Sequence, residues 1–251
     1  MDIVQKFYDN MATSYDKLFA DWEESTREQA GILNKIFTDN GFDKSAGVLD
    51  CACGIGTQAI GLARLGFRVT ASDISEGALA EAKRRAEDNG VFLSSERADF
   101  RDLAATFNEK FDIVIAMDNA LPHMLTAGDL AAAVGSIAKQ TKVGGIFVAS
   151  IRDYDSILKD KPKYSPPYIH NTEKGRRIAF QTWNWSGDNY KLAQYIIEDE
   201  GELKTSKFEC EYRTVLRSEL TNLLLANGFN KVEWKFPDET GFYQPIVIAR
   251  K

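Results

Sequence analysis

The sequence has few cysteine and histidine residues, with three cysteines and two histidines among 251 residues. An odd cysteine count without metal-ligand spacing argues against a disulfide framework and indicates a reducing compartment, so we expect a cytoplasmic protein. Cys51 and Cys53 flank Ala52 and resemble a metal-binding pair, but the chain offers too few histidine partners. We therefore expect no metal and interpret both cysteines as small buried side chains.

Long apolar runs are also missing, and positive charge is not in excess. No apolar run approaches the roughly 18 residues that a membrane-spanning helix needs. Because Met1-Asp2 opens a polar, acidic segment, we expect no secretory signal peptide. The 31 basic and 37 acidic residues give a net charge of −6 and are mixed along the chain. We expect neither a membrane nor a nucleic acid as the main partner, although the charge balance does not exclude a local basic patch.

The middle of the chain alternates between two hydrophobic periodicities. The patterns predict strands at 47–51, 68–72, 91–96, 111–117 and 145–151, and helices at 57–65, 75–89, 101–107 and 127–140. Ser75 is the expected N-cap of the second of these helices. Alternation of this kind favours a parallel sheet with helices on both faces.

The flanking segments break that rhythm. Residues 1–40 show helical spacing, and the chain after 152 is first proline-rich and then strand-like. Strands are expected at 177–185, 190–198 and 203–215, a helix at 217–227, and an antiparallel pair at 232–236 and 245–249. At 251 residues we expect one domain with an insertion: a helical cap (1–40), a core (41–151), an inserted antiparallel lid (152–215) and a C-terminal helix and strand pair (216–251).

The most informative stretch is 48–57, where a buried apolar run ends at Asp50 and is followed by Gly54 and Gly56. Glycine frees the backbone to turn sharply and lets a ligand approach where a Cβ would stand. The helical spacing of 57–65 follows directly. A strand, a glycine turn and a helix in this order predict a small-molecule site at the carboxyl end of the strand.

A second acid supports this site. Strand 68–72 runs into Asp73, which in a βαβ unit lies beside the turn and can accept hydrogen bonds from ribose hydroxyls. A nicotinamide dinucleotide site is the competing interpretation, because Ala59 completes a G-x-G-x-x-A pattern. Asp50 argues against it, since a carboxylate before the turn repels a pyrophosphate and suits a cationic amino group.

The acid and glycine run at 50–56, with an acid closing the next strand, resembles the class I S-adenosylmethionine-dependent methyltransferases. Matching segments follow in order: Ala98-Asp99-Phe100, a strand with the residues directly after it at 111–119, and the glycine turn at 142–148. The resemblance implies S-adenosylmethionine as cofactor and a Rossmann-like α/β fold, with a mostly parallel seven-stranded sheet and a small antiparallel insertion after strand five. The cofactor-binding residues that it implies are Tyr15, Trp22, Arg27, Asp50, Ala52, Gly54, Gly56, Asp73, Ile74, Asp99, Phe100, Met117, Asp118 and His123.

Further segments resemble the glycine N-methyltransferase and glycine/sarcosine N-methyltransferase group: Asn119…His123 after strand four, Arg152-Asp153-Tyr154-Asp155 after strand five, and Ser206-Lys207-Phe208…Tyr212. The resemblance implies N-methylation of a small amino acid or amine that bears a carboxylate, such as glycine or sarcosine. Arg152 would hold the carboxylate with its planar fork, and Asn119 would assist. Tyr168 or Tyr212 would line the amine pocket, and His123 would lie against the cofactor.

Some of these assignments have a competing interpretation. Arg152 could form a buried ion pair with Asp153 or Asp155, and Arg27, the expected partner of the cofactor's methionine carboxylate, could instead pair with Glu23 or Glu24. His123 fits a hydrogen-bonding wall better than a general base, because an amine nucleophile only has to be neutral. The chain has Asp153 where the group has Asn, and loop 159–172 matches the group poorly. The identity of the amine therefore stays open.

Methyl transfer from a sulfonium asks little of catalytic side chains. The methyl group is already activated, so a protein mainly aligns the reacting atoms and excludes water, which is worth roughly 7–11 kcal/mol. Two other functions stay open at this point: methylation of an oxygen or ring nitrogen of another small metabolite, and a catalytically silent protein that binds the cofactor for regulation. A homo-oligomer is also left open.

Overall fold

The computed structural model describes residues 3–173 and 175–251; Met1 and Asp2 of the expected cap and Lys174 of the expected lid lie outside the described residues. The strands fall into a seven-stranded sheet and a separate four-stranded sheet. They are β1 (Gly47–Asp50), β2 (Arg68–Asp73), β3 (Ser94–Arg97), β4 (Phe111–Ala116), β5 (Thr141–Ser150), β6 (Tyr168–Thr172), β7 (Gly175–Ser186), β8 (Asn189–Asp199), β9 (Leu203–Arg213), β10 (Lys231–Lys235) and β11 (Ile246–Arg250).

The seven-stranded sheet has the order β10-β11-β5-β4-β1-β2-β3. Strands β1 to β5 are parallel to one another, and β11 runs antiparallel between β5 and β10. The expected seven-stranded, mostly parallel sheet with a terminal antiparallel pair is therefore confirmed. Its switch point lies between β1 and β4, so the carboxyl ends of these two strands open onto a crevice that can take a ligand.

Helices cover both faces of this sheet. They are α1 (Ile3–Met11), α2 (Trp22–Asp39), α3 (Thr57–Arg64), α4 (Glu76–Asp88), α5 (Ala127–Gln140), α6 (Tyr154–Asp160), α7 (Arg217–Ala226) and α8 (Pro237–Thr240), with 3₁₀ turns at Ala12–Leu18, Leu103–Ala105 and Leu121–His123. Val48 of β1 packs towards α2, α3 and α4, whereas the next residue, Leu49, packs towards α5 and α7. A strand buried on both faces explains the unbroken apolar run that ends at Asp50. No helix of the described ranges is long and apolar enough to cross a membrane.

Two local predictions need correction, and two further elements were not predicted. The expected helix at 101–107 is a single 3₁₀ turn, because the Leu103 amide is held by the Ser136 hydroxyl at 2.8 Å. The expected strand at 91–96 begins only at Ser94, since Gly90 ends α4 in a left-handed conformation and Phe92 is exposed. Helix α6 and strand β6 were not expected. The prolines that precede β6 do not favour a strand in the sequence pattern. The strand forms because β6 lies at the edge of the small sheet, where missing amide donors are tolerated.

The four-stranded sheet, hereafter the lid sheet, lies over the crevice and is antiparallel with the order β6-β7-β8-β9. The N-terminal helices connect it to the core. Asp9 of α1 accepts hydrogen bonds from the Ser75 hydroxyl at 2.6 Å and from the Gly77 amide at 2.9 Å, at the start of α4. Lys17 forms an ion pair with Glu198 of β8 at 2.8 Å. The N-terminal segment therefore closes one side of the space between core and lid sheet.

Candidate active site

The turn after β1 has the backbone that its glycines predict. Gly54 and Gly56 have φ values of +51° and +91°. A Cβ on Gly56 would lie 2.8 Å from Ile60 Cδ1, whereas a Cβ on Gly54 would project into open space. The Gly54 amide donates to Asp73 Oδ2 at 2.8 Å, so the turn is fixed to the end of β2. Gly56 is needed for the fold, and Gly54 leaves a free approach for a ligand.

A cavity of about 330 Å³ lies over this turn, and we call it the turn cavity. It is bounded by the ends of β1, β2 and β4, by the N-terminal helices and by β9 of the lid sheet. Ten of the fourteen residues expected to bind a cofactor line it: Tyr15, Ala52, Gly54, Asp73, Ile74, Asp99, Phe100, Met117, Asp118 and His123. The fold thus gathers residues that are up to 108 positions apart in the sequence, from Tyr15 to His123.

The other four expected residues lie outside the lining. Asp50 is fully buried behind the turn, and Gly56 lies at the N-cap of α3. Trp22 is buried against the core and donates from Nε1 to Thr57 Oγ1 at 3.0 Å, so it reaches the cavity only through Thr57. Arg27 lies on the solvent side of α2. A direct role for Trp22 or Arg27 at this cavity is therefore not supported.

The competing interpretation of Arg27 is not seen either. Glu23 accepts from Arg64 at 3.1 Å, and Asp21 caps α2 by accepting from the Glu24 amide at 2.9 Å. Within the described residues Arg27 forms no ion pair with either glutamate. The helical spacing of α2 placed its apolar positions correctly inside, but it could not tell whether a charged residue at the boundary turns towards the ligand or towards water.

Three carboxyl groups meet at the strand ends. Burial, together with the nearby carboxyls of Asp73 and Asp118, raises the pKa of Asp50 to about 8. Burial also raises the pKa of Asp73 and of Asp118 above the ordinary range. Asp50 Oδ2 has no hydrogen-bond partner among the described residues, although it is fully buried. A cation placed near this group would stabilise the ionised carboxyls, whereas an added anion would be repelled.

Asp73 is held in place by the backbone. Its Oδ2 accepts from the Gly54 amide at 2.8 Å and its Oδ1 from the Ser75 amide at 2.9 Å. Each carboxylate oxygen keeps a lone pair for a further donor, such as a sugar hydroxyl. Asp99, by contrast, is bound by Arg101, whose Nε donates to Asp99 Oδ2 at 2.9 Å.

His123 joins the turn cavity to the lid sheet. Its Nε2 is 2.9 Å from Tyr8 Oη and its Nδ1 is 3.5 Å from Cys210 Sγ, while its ring centroid lies 4.2 Å from that of Tyr212. Burial lowers the pKa of His123 to about 3, so the ring is neutral at physiological pH. A neutral ring with both nitrogens engaged fits the wall role better than the general-base role.

A second cavity of about 730 Å³, the lid cavity, lies beneath the lid sheet and meets the turn cavity at Tyr8, Tyr15 and Asp118. Four of the five residues expected to act on the substrate line it: Asn119, Arg152, Tyr168 and Tyr212. His123 belongs to the turn cavity instead. Tyr168 lies at the outer edge and is 63% exposed, whereas Tyr212 is buried. The two cavities therefore share one wall. Most residues expected to bind the cofactor line the turn cavity, and most residues expected to act on the substrate line the lid cavity.

Arg152 is a cation without a counter-ion in its surroundings. Its Nη1 donates to Tyr190 Oη at 2.9 Å and its Nη2 to Gln181 Oε1 at 3.0 Å. Asp153 and Asp155, the carboxylates closest to it in sequence, are both bound by Arg217. Among the described residues no carboxylate pairs with Arg152, so the ion-pair interpretation is wrong. The guanidinium, which is permanently charged, also lies 4.9 Å from the centroid of the Trp183 ring.

Asn119 adds a free donor beside Arg152. Asp118 and Asn119 are consecutive non-glycine residues with positive φ, +54° and +69°, and strain of this kind clusters at functional sites. Asn119 Oδ1 accepts from the Arg152 amide at 3.0 Å and from Tyr154 Oη at 3.1 Å. Asn119 Nδ2 has no partner among the described residues, and the side chain is only 3% exposed. The lid cavity thus offers a charged fork and an unused amide donor.

Sequence reasoning missed several wall residues. Tyr8 lines both cavities, and Gln181 and Tyr190 hold the Arg152 guanidinium. Tyr8 lies in the segment 1–40, whose helical spacing was the available signal. Gln181 and Tyr190 lie on neighbouring strands of the lid sheet, and only the pairing of β7 with β8 brings them to Arg152.

The comparisons with known proteins agree with this geometry. Residues 48–145 match the family described as "Methyltransferase domain". The chain is 24% identical to the glycine/sarcosine N-methyltransferase of Aphanothece halophytica over 77% of its length, and 28% identical to the glycine N-methyltransferase of Oryctolagus cuniculus over 79%. These alignments span 66% and 74% of the relatives, and that with the glycine/sarcosine N-methyltransferase of Halorhodospira halochloris spans 56%. The chain thus spans less than two thirds of the two glycine/sarcosine relatives.

Solved structures are similar over almost the entire chain. The structure of S-adenosylmethionine-bound CalS10, an amino pentose methyltransferase from Micromonospora echinaspora, has a TM-score of 0.77 at 16% identity and covers 94% of each chain. The structure of the CcbJ methyltransferase from Streptomyces caelestis also has a TM-score of 0.77, at 17% identity, covering 100% of this chain and 99% of that one. At these identities the similarity establishes the fold.

Proposed function

We propose that this S-adenosylmethionine-dependent methyltransferase, whose residues 48–145 match the family described as "Methyltransferase domain", methylates the nitrogen of a small amine that bears a carboxylate. Glycine and sarcosine are the simplest such amines, and they are the ones named for several relatives. The observation that carries the proposal is the Arg152 guanidinium in the lid cavity, which has no carboxylate partner among the described residues and lies beside the unused amide of Asn119.

The turn cavity fits the cofactor. S-adenosylmethionine supplies an activated methyl group on a positively charged sulfur. The unpartnered Oδ2 of Asp50 and the raised pKa values of Asp50, Asp73 and Asp118 favour a ligand with cationic groups. Gly54 leaves the approach open where any other residue would place a Cβ. We propose that Asp73 holds the ribose hydroxyls, that Asp99 and Phe100 border the adenine, and that Met117 and Asp118 flank the reacting end.

The lid cavity fits the acceptor. Arg152 and Asn119 Nδ2 offer donors for a carboxylate, and fork-shaped recognition of a carboxylate is what a guanidinium does best. Tyr190 and Gln181 hold the fork, so little side-chain freedom is lost when the substrate binds. The acceptor nitrogen would then lie near Tyr15 and Asp118, where the two cavities meet.

Catalysis in this arrangement is alignment and desolvation. The N-terminal helices and the lid sheet exclude water from the junction, and a buried amine loses its proton more readily than a solvated one because burial disfavours the charged form. Neutral His123 keeps positive charge away from the amine and orients Tyr8 through the 2.9 Å hydrogen bond. Tyr212 stacks on His123 and fixes the wall between the cavities.

The test is mass spectrometry of reactions that contain S-adenosylmethionine and one amine each: glycine, sarcosine, dimethylglycine, other small amino acids, and matched amines without a carboxylate. We expect a mass gain of one methyl group on nitrogen for carboxylate-bearing amines, and none for the matched amines. Binding of S-adenosylhomocysteine with no methylated amine would contradict the proposed substrate class. Failure to bind that product would contradict the proposed use of the turn cavity.

A further inference from the structure

Arg152 and Asn119, the two residues proposed to hold the carboxylate, are hereafter called the polar anchors. The lid cavity is much larger than a ligand held by these two residues alone requires. Its volume of about 730 Å³ is more than twice that of the turn cavity, at about 330 Å³. Arg152 and Asn119 belong to its inner end, since the Arg152 amide binds Asn119 and Asn119 follows the shared residue Asp118. Cavities of roughly 300–1,000 Å³ enclose drug-sized ligands. An amine as small as glycine, held at the inner end, would leave most of this space to water.

The outer end carries aromatic rings that face solvent. Tyr168 is 63% exposed and Phe236 37%, and both line the lid cavity. Tyr168 belongs to β6, and Phe236 directly precedes α8. Tyr243 also lines the cavity, but its hydroxyl donates to Asp118 Oδ1 at 2.8 Å, so this end of the ring lies at the junction with the turn cavity. Single exposed aromatic rings are ordinary, whereas exposed rings that gather at one cavity mark contact with a ligand or partner. Their convergence at one opening indicates a ligand with an apolar or aromatic part.

The wall between the anchors and this rim is mainly apolar. It includes Phe19, Ile32, Ala179, Phe180, Leu192 and Phe242. Gln181 and Gln194 interrupt it, but their amides already bind one another at 2.9 Å, and Gln194 Nε2 also donates to the Phe180 and Tyr195 carbonyls. The amides of Gln181 and Gln194 are therefore satisfied within the protein, and this part of the wall offers apolar contact. Besides the shared Asp118, two carboxylates also line the cavity: Asp153, which is bound by Arg217, and Glu28, which is exposed on α2.

We infer that the acceptor carries a bulky apolar or aromatic substituent, in addition to its amine and carboxylate, and that this substituent fills the outer part of the lid cavity. The inference rests on the proposed function and narrows its substrate class. Burial of the substituent removes apolar surface from water on both sides and expels the water that would otherwise remain next to the reacting nitrogen. The acceptor is thus an amino acid with a large side chain, or an amine of similar shape, rather than glycine.

The test is kcat/KM for a series of amino acids that share one headgroup: glycine, alanine, leucine and phenylalanine, with methyl transfer followed by S-adenosylhomocysteine release and by product mass. We expect kcat/KM to rise along the series, by at least about tenfold between glycine and phenylalanine. Highest kcat/KM for glycine would overturn this inference and leave the proposed function standing. Methylation of phenethylamine as fast as phenylalanine, or of no member of the series, would overturn the proposed function and this inference with it.

Two variants examine the cavity directly. Ala179→Phe fills the wall from β7, and Tyr168→Ala removes an exposed ring of the rim. Both are expected to lower kcat/KM for phenylalanine by about tenfold more than for glycine, with unchanged affinity for S-adenosylhomocysteine as the sign of an intact fold. Tyr164→Ala is the matched control, because Tyr164 is 68% exposed on the same side of the chain and does not line the cavity. Unchanged selectivity in both variants would contradict the inference.

Discussion

The turn cavity and the lid cavity are neighbours that share Tyr8, Tyr15 and Asp118, yet they are built in opposite ways. The turn cavity depends on backbone conformation and on carboxyl groups at the ends of parallel strands. The lid cavity depends on a cation, Arg152, held by side chains of the lid sheet. The carboxyl groups of the turn cavity therefore favour a ligand with cationic groups, whereas Arg152 gives the lid cavity a place for a carboxylate.

This difference suits a reaction between two ligands. If both cavities carried the same charge, each ligand would compete for both, and neither would be oriented at the junction. Opposite charges assign each ligand to its own cavity, and contact is possible only at the shared wall. The following predictions test whether the two cavities act separately in this way.

The largest expected effect is that of Arg152→Ala. Loss of a buried charge that binds substrate costs roughly 2–5 kcal/mol, so kcat/KM for a carboxylate-bearing amine should fall at least about thirtyfold. The affinity for S-adenosylhomocysteine, measured by calorimetry, should stay within about twofold. Arg213→Ala is the control, because Arg213 also lies in the lid sheet but pairs with Glu219 and lines neither cavity. Equal kcat/KM in wild type and Arg152→Ala would contradict the proposed binding of the substrate carboxylate by Arg152.

Asp73→Asn should have the reverse profile. Hydrogen bonds to a charged group are worth about 1.5–3 kcal/mol, so S-adenosylhomocysteine should bind roughly tenfold to a hundredfold more weakly. At saturating cofactor, KM for the amine should change little. Asp43→Asn serves as the control, because Asp43 is an exposed acid in the loop before β1 that accepts from Ser45. A variant whose KM for the amine rises as much as its cofactor Kd would argue that the cavities do not act separately.

Asn119→Asp should weaken substrate binding with little change in the backbone. Aspartate tolerates the left-handed conformation of this position, but it replaces the unused Nδ2 donor by an acceptor beside Arg152. KM for the carboxylate-bearing amine is expected to rise about tenfold, and kinetics at saturating cofactor would measure it. Asn184→Asp, an exposed change on β7, provides the comparison. An unaltered KM would remove Asn119 from the proposed anchor.

The last expected effect concerns stability rather than turnover, because the free energy of unfolding should depend on pH. Because burial raises the pKa of Asp50 to about 8 in the folded chain, the folded state binds a proton there that the unfolded chain releases near pH 4. Stability of the cofactor-free protein from this group is therefore full below about pH 4 and is lost as pH rises towards 8. The midpoint of thermal unfolding should decline across this range. In Asp50→Asn the decline should be smaller, and an identical decline would assign it to other groups.

The sequence predicted the turn cavity well, because its main parts lie close together in the chain. Gly54 and Asp73 are separated by one helix, and a βαβ unit brings them together whatever the rest of the chain does. Asp99 and Asp118 were marked by the family resemblance, which placed them after the third and fourth strands. The resemblance failed for Arg27, where the choice between solvent and ligand depends on how α2 packs rather than on its periodicity.

The lid cavity was predicted only in part. Arg152 and Asn119 were found because a family resemblance marked them, and the periodicity of the chain gave no sign of them. The support from Gln181 and Tyr190 depends on the register between β7 and β8, which long-range packing sets. The pairing of Arg217 with Asp153 and Asp155, which leaves Arg152 free, likewise joins segments about 60 residues apart. Contacts between segments so far apart leave no local sequence pattern from which they could be predicted.

The most direct test of two separate cavities is a crystal structure of the chain with S-adenosylhomocysteine and the amine that gives the highest kcat/KM. We predict the nucleoside in the turn cavity beside Asp73, and the carboxylate of the amine at Arg152 and Asn119 in the lid cavity. The amine nitrogen should then face the sulfur across the junction at Tyr15 and Asp118. A carboxylate bound anywhere other than Arg152, or a nucleoside that extends into the lid cavity, would contradict the account.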